Sequence, residues 1–456
     1  MASTRERLAS RLGFLLLSAG CAIGLGNVWR FPWITGQYGG AWFVLIYLFF
    51  LLAVGLPIMI MEFSVGRASR HNMGRAFHVL EPAGTKWHVF GWFSLAGSYL
   101  LMMFYMPVAG WMLAYCYYMG TGRLALPPEQ VGAFFGGMLG DPAGMTFWAA
   151  LVLLCGFGVC WFGVRNGLER VVKIMMVGLL LIMLGLAVRA VTLEGAGEGL
   201  TFYLAPDWSR VEKAGILNVV SAAMNQAFFT LSLGIGAMMI FGSYLDNRRN
   251  LTGESMFIVG LDTFVALTSG LIIFPACFAF GVQPDSGPGL VFITLPNIFN
   301  QMSMGALWGS LFFVFMSCAA LTTVIAVVEN IVSYSMDVWG WGRKKAITVH
   351  CVLLALLMMP CILGFNVWSA VAPFGEGSVI MDLEDFIISN NMLPLGSLVV
   401  LLFCTSRRGW GWNNFLTEAD KGDGPKFPRA VRAYLTWVLP LAVLFLFVQG
   451  YIDKFF

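Results

Sequence analysis

Apolar residues gather into eleven long runs separated by short polar stretches, at roughly 12–35, 41–66, 88–120, 145–162, 167–190, 215–242, 255–281, 304–336, 346–363, 380–404 and 433–451. Helical runs of about 20 apolar residues match the hydrocarbon thickness of a bilayer. Eleven membrane-spanning helices are therefore expected. The first run is interrupted where a spanning helix should be most regular. Its segment Ser18-Ala19-Gly20-Cys21-Ala22-Ile23-Gly24-Leu25-Gly26-Asn27-Val28-Trp29-Arg30-Phe31-Pro32 carries three glycines, an amide and a full charge. Glycine inside a helix costs about 1 kcal/mol relative to alanine. A charge at bilayer depth costs about 3 kcal/mol even on lenient scales. Backbone released from helical bonding survives there only where protein or a watery cavity meets it. The pattern predicts a broken helix whose freed groups bind something polar.

The sixth run repeats the interruption. Gln226-Ala227-Phe228-Phe229-Thr230-Leu231-Ser232-Leu233-Gly234-Ile235-Gly236 sets an amide, two hydroxyls and two glycines in its middle. Breaks at matching places in two groups of five helices point to an inverted-repeat carrier with its site at the midplane. Amino-terminal half-helix ends offer N–H groups and partial positive charge to a carboxylate. Carboxy-terminal ends and unwound carbonyls suit a hard cation.

Composition narrows the class further. The 456 residues are 59% hydrophobic and 11% charged, with mean hydropathy +0.79, against about 25% charged in soluble domains. A net charge of +3 gives no reason to expect nucleic acid. Alternate connections hold 21 of the 27 Lys and Arg, which places the amino terminus in the cytoplasm and, with eleven spans, the carboxy terminus outside. The short basic tail lacks a small-residue cleavage pattern, so no removable signal is expected. Nine cysteines form no C-x-x-C pair and read as small apolar side chains. The histidines, at 71, 78, 88 and 350, show no zinc spacing. Nor is there a Ser/His/Asp arrangement, so an enzyme is not expected.

The run from Ala22 to Pro32, the following Gly39-Gly40-Ala41-Trp42-Phe43 and the stretch Phe228–Gly236 together resemble the neurotransmitter:sodium symporter family, in particular its eleven-helix bacterial amino-acid transporters. The resemblance implies an all-α membrane protein of LeuT-type fold. Helices 1 and 6 are broken, spans 1–5 and 6–10 form a 5+5 inverted repeat, and an eleventh helix follows. Its segments would be a tail over 1–11, a first repeat over 12–190, an extracellular loop over 191–214, a second repeat over 215–405, a cytoplasmic loop over 406–432 and helix 11 over 433–456.

Carried onto this chain residue by residue, the resemblance implies a first sodium site of Ala22, Asn27, Thr230 and Asp262, completed by the substrate carboxylate. A second would use Gly20, Ile23, Ala319, Thr322 and Thr323. Both sets are all oxygen, as a hard cation requires. Animal relatives bind chloride beside the first site; here Asp262, near Tyr47 and Gln226, would supply that negative charge. Asp262 matches either the sodium-ligand or the anion position, with Ala266 at the other. Substrate would lie among Ala19, Cys21, Ala22, Gly24, Leu25, Gly26, Leu101, Tyr105, Phe229, Thr230, Ser232, Ile235 and Val327. Gly24 stands where monoamine carriers place an aspartate, and Tyr105 matches the tyrosine that bonds the substrate carboxylate. Arg30 and Asp385 resemble an outer gate; Arg5 and Asp337, with Glu6 and Tyr244, an inner one. Leu8 stands where relatives have tryptophan, and Val177 where they often have proline, with Gly178 beside it.

The expected function is chloride-independent import of a neutral, hydrophobic or aromatic L-amino acid, driven by two sodium ions across a bacterial inner membrane and using no organic cofactor. A monomer suffices and a dimer is compatible. The rival is a sensor that binds the same ligand without carrying it, or a symporter of another small zwitterion.

Overall fold

The computed structural model describes residues 8–282 and 289–455. Both interruptions are real breaks. Ser10 caps the first span by accepting from the Gly13 N–H, and the helix runs Arg11–Ala22. Ile23 is extended, and helical structure resumes over Gly26–Gln37 with its axis bent by 53°. The sixth span divides into Ile216–Thr230 and Ala237–Ser243. Ser232, Gly234 and Gly236 all have positive φ, from 51° to 87°. Such backbone is open to glycine at no steric cost and is strained for serine.

Among the described residues nine further helices are long and apolar enough to cross a membrane: Ala41–Ser69, Trp87–Gly120, Pro142–Trp161, Val164–Val191, Leu251–Ala279, Gly305–Trp339, Arg343–Gly364, Ile380–Thr405 and Arg429–Ile452. With the two broken spans they match the eleven expected runs. The fifth is uninterrupted helix through Val177 and Gly178, and Gly178 faces open space. The connections hold short helices that a search for spans passes over. Two, Ala196–Leu204 and Trp208–Ala214, fill the segment expected as loop between the repeats.

The eighth span is the most enclosed of these helices. It packs against the first, third and fifth, so side chains on it and on both breaks can meet at one depth. Phe49, Leu154, Leu181 and Leu441 are 60–68% exposed on the outer faces of their spans, a belt that suits lipid. Two ion pairs, one buried and one partly buried, fasten the ends. Arg67 donates to Glu418 at 2.6 Å, joining the second span to helix Trp412–Ala419. Arg343 grips both oxygens of Glu329 at 2.8 Å.

Candidate substrate and sodium site

Three side chains meet the backbone of the first break. The Gly24 N–H donates to Asn27 Oδ1 at 3.2 Å, and the Leu25 N–H to the Tyr105 hydroxyl at 3.1 Å. From the eighth span, the Thr323 hydroxyl lies 3.4 Å from the Gly20 carbonyl and 3.3 Å from that of Cys21. A Cβ on Gly24 would stand 2.6 Å from both Thr323 Oγ1 and the Tyr105 hydroxyl, so a larger residue would displace those two side chains.

The second break is fixed differently. The Gly234 N–H donates to Glu62 Oε1 at 2.7 Å. The Ile235 carbonyl accepts from Ser94 at 2.5 Å and Asn330 at 3.0 Å. Gly396 packs so closely on Gly234 that a Cβ there would lie 2.0 Å from the Gly234 carbonyl oxygen.

Asp262 is fully buried where these elements converge. Its Oδ1 accepts from Asn27 Nδ2 at 2.8 Å, and Thr230 Oγ1 lies 3.1 Å from Oδ2. The carboxylate thus stands directly against Asn27 and Thr230, whereas Ala266 lies one turn further along the same helix and its carbonyl accepts from Ser269. Ser269 also donates to the Asn27 carbonyl at 2.7 Å. Gln226 Nε2 holds the Gly26 carbonyl at 2.8 Å, and the Tyr47 hydroxyl is buried nearby in the second span. At the position expected for the second ion, Thr322 donates to the Ala319 carbonyl at 3.0 Å, and the Gly20 backbone approaches Thr322. Hydroxyls and carbonyls of two elements therefore come together there, a donor set that fits sodium.

Between the breaks lies a cavity of about 20 Å³, lined by Cys21, Ala22, Gly24, Gly26, Leu101, Tyr105, Phe229, Ser232, Ile235, Thr323 and Leu393. Ligand pockets usually measure at least about 300 Å³, so the walls must part to admit an amino acid. Ala19, Thr230 and Val327 lie outside this lining, and Leu25 faces a second space above it. Thr323, expected only as a sodium ligand, lines the cavity as well. Leu393 was not anticipated, since it is one more apolar residue in an apolar run. Glu62 did carry a signal, a lone carboxylate toward the end of the second run.

Arg30 lies over the Phe229 ring at 4.3 Å. It reaches Asp385 through a hydroxyl: Arg30 Nη1 donates to Ser389 at 3.2 Å, and Ser389 donates to Asp385 at 2.8 Å. Above them opens a funnel of about 560 Å³ that includes Trp33, Tyr38 and Asp382. At the opposite end, the Tyr244 hydroxyl donates to Glu329 at 2.7 Å, and Asp337 Oδ2 accepts from the Asn72 N–H at 2.8 Å. Arg5 and Glu6 lie outside the described residues.

Two broken helices enclosing buried oxygen donors define a membrane carrier for a small polar solute and a hard cation. A profile of the sodium:neurotransmitter symporter family matches residues 5–130 and 138–453, and the chain belongs to that family. It is 36% identical to the uncharacterized sodium-dependent transporter YhdH of Bacillus subtilis, over 97% of this chain and 96% of that one. It is 31% identical to an uncharacterized sodium-dependent transporter of Haemophilus influenzae, over 98% of each. It also shares its fold with the crystal structure of MhsT in complex with L-phenylalanine, at 40% identity and TM-score 0.88, over 98% of this chain and all of the other. The fold is thus the LeuT-type arrangement expected, and the family is one of sodium-dependent transporters.

Proposed function

We propose that the chain imports a neutral hydrophobic or aromatic L-amino acid with two sodium ions, by alternating access and without chloride. The observation that carries this reading is the Asp262 carboxylate bonded to Asn27 at 2.8 Å and facing Thr230. A fixed negative charge there balances a cation without a bound anion. One ion would sit among Ala22, Asn27, Thr230, Asp262 and the substrate carboxylate, so ion and substrate binding strengthen each other equally. The other would sit among Gly20, Ile23, Ala319, Thr322 and Thr323. The substrate carboxylate would face the Gly24–Gly26 backbone and Tyr105. Leu101, Phe229, Ile235 and Leu393 would take an apolar side chain, and L-phenylalanine bound to MhsT supports that choice. Arg30, Ser389 and Asp385 would close the outer side, and Tyr244 with Asp337 the inner. The cytoplasmic excess of Lys and Arg supports an amino terminus inside a bacterial inner membrane. Each ion moving through 100 mV releases about 2.3 kcal/mol, so two sustain roughly a thousandfold gradient.

The test is uptake of labelled phenylalanine, tryptophan and leucine into proteoliposomes under an inward sodium gradient. The expected result is accumulation above equilibrium, equal in chloride and in gluconate. Asp262→Ser should then transport only when chloride is present. Binding without accumulation would identify a sensor, and Asp262→Ser that stays fully active without chloride would remove the role given to Asp262.

A further inference from the structure

Between the second and third spans the chain makes a short helix, Met73–Leu80, and a turn at Gly84, then re-enters the membrane through Trp87–Val89. The reversal brings together three residues that sequence spacing did not connect, His78, Glu81 and His88. Their ligand atoms all lie within 4.8 Å of one another. Glu81 Oε1 is 3.3 Å from His78 Nδ1 and 2.5 Å from His88 Nδ1. The two rings flank it with centroids 5.4 Å apart and planes at 83°. We propose that His78, Glu81 and His88 form a site for one Zn²⁺ ion at this end of the bundle.

Zinc takes imidazole nitrogen and carboxylate oxygen at about 2.0–2.2 Å, with tetrahedral ligands about 3.4 Å apart. The His78–Glu81 spacing already matches, and a small rotation of the carboxylate opens the His88 side. The carboxylate is oriented through its other oxygen, which accepts from the His88 N–H at 3.2 Å and lies 3.5 Å from Thr85 Oγ1. Outer contacts of this kind position metal ligands. The Glu81 side chain is only 8% exposed, whereas those of His78 and His88 are 70% and 41% exposed. An ion can therefore arrive from water and meet a carboxylate already in place, with water as fourth ligand. A bound ion would tie the helix after the second span to the start of the third.

The site stands apart from the transport reading, because a binding experiment on purified full-length protein reads it whatever the chain carries. Calorimetric titration with Zn²⁺, after removal of any affinity tag, should show one site in the micromolar range or tighter. Titration with Co²⁺ should give the visible band of a tetrahedral ion. His78→Ala, His88→Ala and Glu81→Gln should each weaken binding at least about tenfold, while His71→Ala should leave it unchanged. Glu81→Gln keeps the size and shape of the side chain, and metal-free protein that melts as wild type does would show that its loss of zinc does not come from unfolding of the turn. Wild-type protein that takes up no Zn²⁺, or a His78→Ala/His88→Ala double variant that binds it as wild type does, would overturn the proposal.

Discussion

The two helix breaks look alike in sequence and are held in different ways. Around 20–25 the backbone is met by the Asn27 amide and the hydroxyls of Tyr105 and Thr323, groups that can turn to an ion or a carboxylate instead. Around 231–236 it is met by Glu62, Ser94 and Asn330, with Gly396 packed on Gly234. Those partners satisfy the Gly234 N–H and the Ile235 carbonyl from within the protein. The first break thus resembles a binding element, and the second a fixed frame that presents Phe229, Ser232 and Ile235 to it.

Alanine at the central glycine of each break should separate these roles most sharply. At Gly234, with φ +87°, a Cβ would lie 2.4 Å from the Leu393 carbonyl oxygen, so Gly234→Ala should yield little folded protein by size-exclusion chromatography. Gly24→Ala meets side-chain hydroxyls rather than backbone, and should fold yet lose detectable substrate binding. A smaller effect should follow at the partners themselves. Tyr105→Phe removes a bond to a charged group worth about 1.5–3 kcal/mol, and so should weaken amino-acid binding about 10- to 100-fold, with a drop in melting temperature from the freed Leu25 N–H. Glu62→Leu should instead lower the melting temperature equally with and without sodium, because the Gly234 N–H is left buried and unpaired at a cost of about 1–3 kcal/mol.

Both breaks were legible beforehand, the contrast between them was not, and the limit has a physical form. Glycines, amides and a charge inside an apolar run are anomalies visible within a single segment, and both breaks were read from them. Partners that come from another helix leave no such mark. Leu393 looks like any lipid-facing or core leucine, and Ser389 like an ordinary polar residue near a span's end. Arg67 and Arg343 counted only toward the charge of their connections, although the structure buries Arg67 against Glu418 and pairs Arg343 with Glu329. His78, Glu81 and His88 needed the chain reversal at Gly84 before their spacing meant anything. The ligand sets came through resemblance, because hydroxyl and carbonyl oxygens have no diagnostic spacing.

The smallest effect belongs to the outer closure. Ser389→Ala removes the hydroxyl between Arg30 and Asp385, and partly exposed pairs of this kind are worth at most about 1 kcal/mol. Substrate release to the outside should quicken about two- to fivefold, read as a faster off-rate with sodium affinity little changed.

The central claim is that cargo is held by the first break against a second that is already set. Amide hydrogen exchange of the full protein in lipid nanodiscs tests it directly, comparing 20–27 with 231–236 in sodium-free buffer, in sodium, and in sodium with phenylalanine. The account predicts protection at 20–27 that rises stepwise with sodium and then substrate, while 231–236 stays protected throughout. Equal changes at both breaks, or none at 20–27, would contradict it.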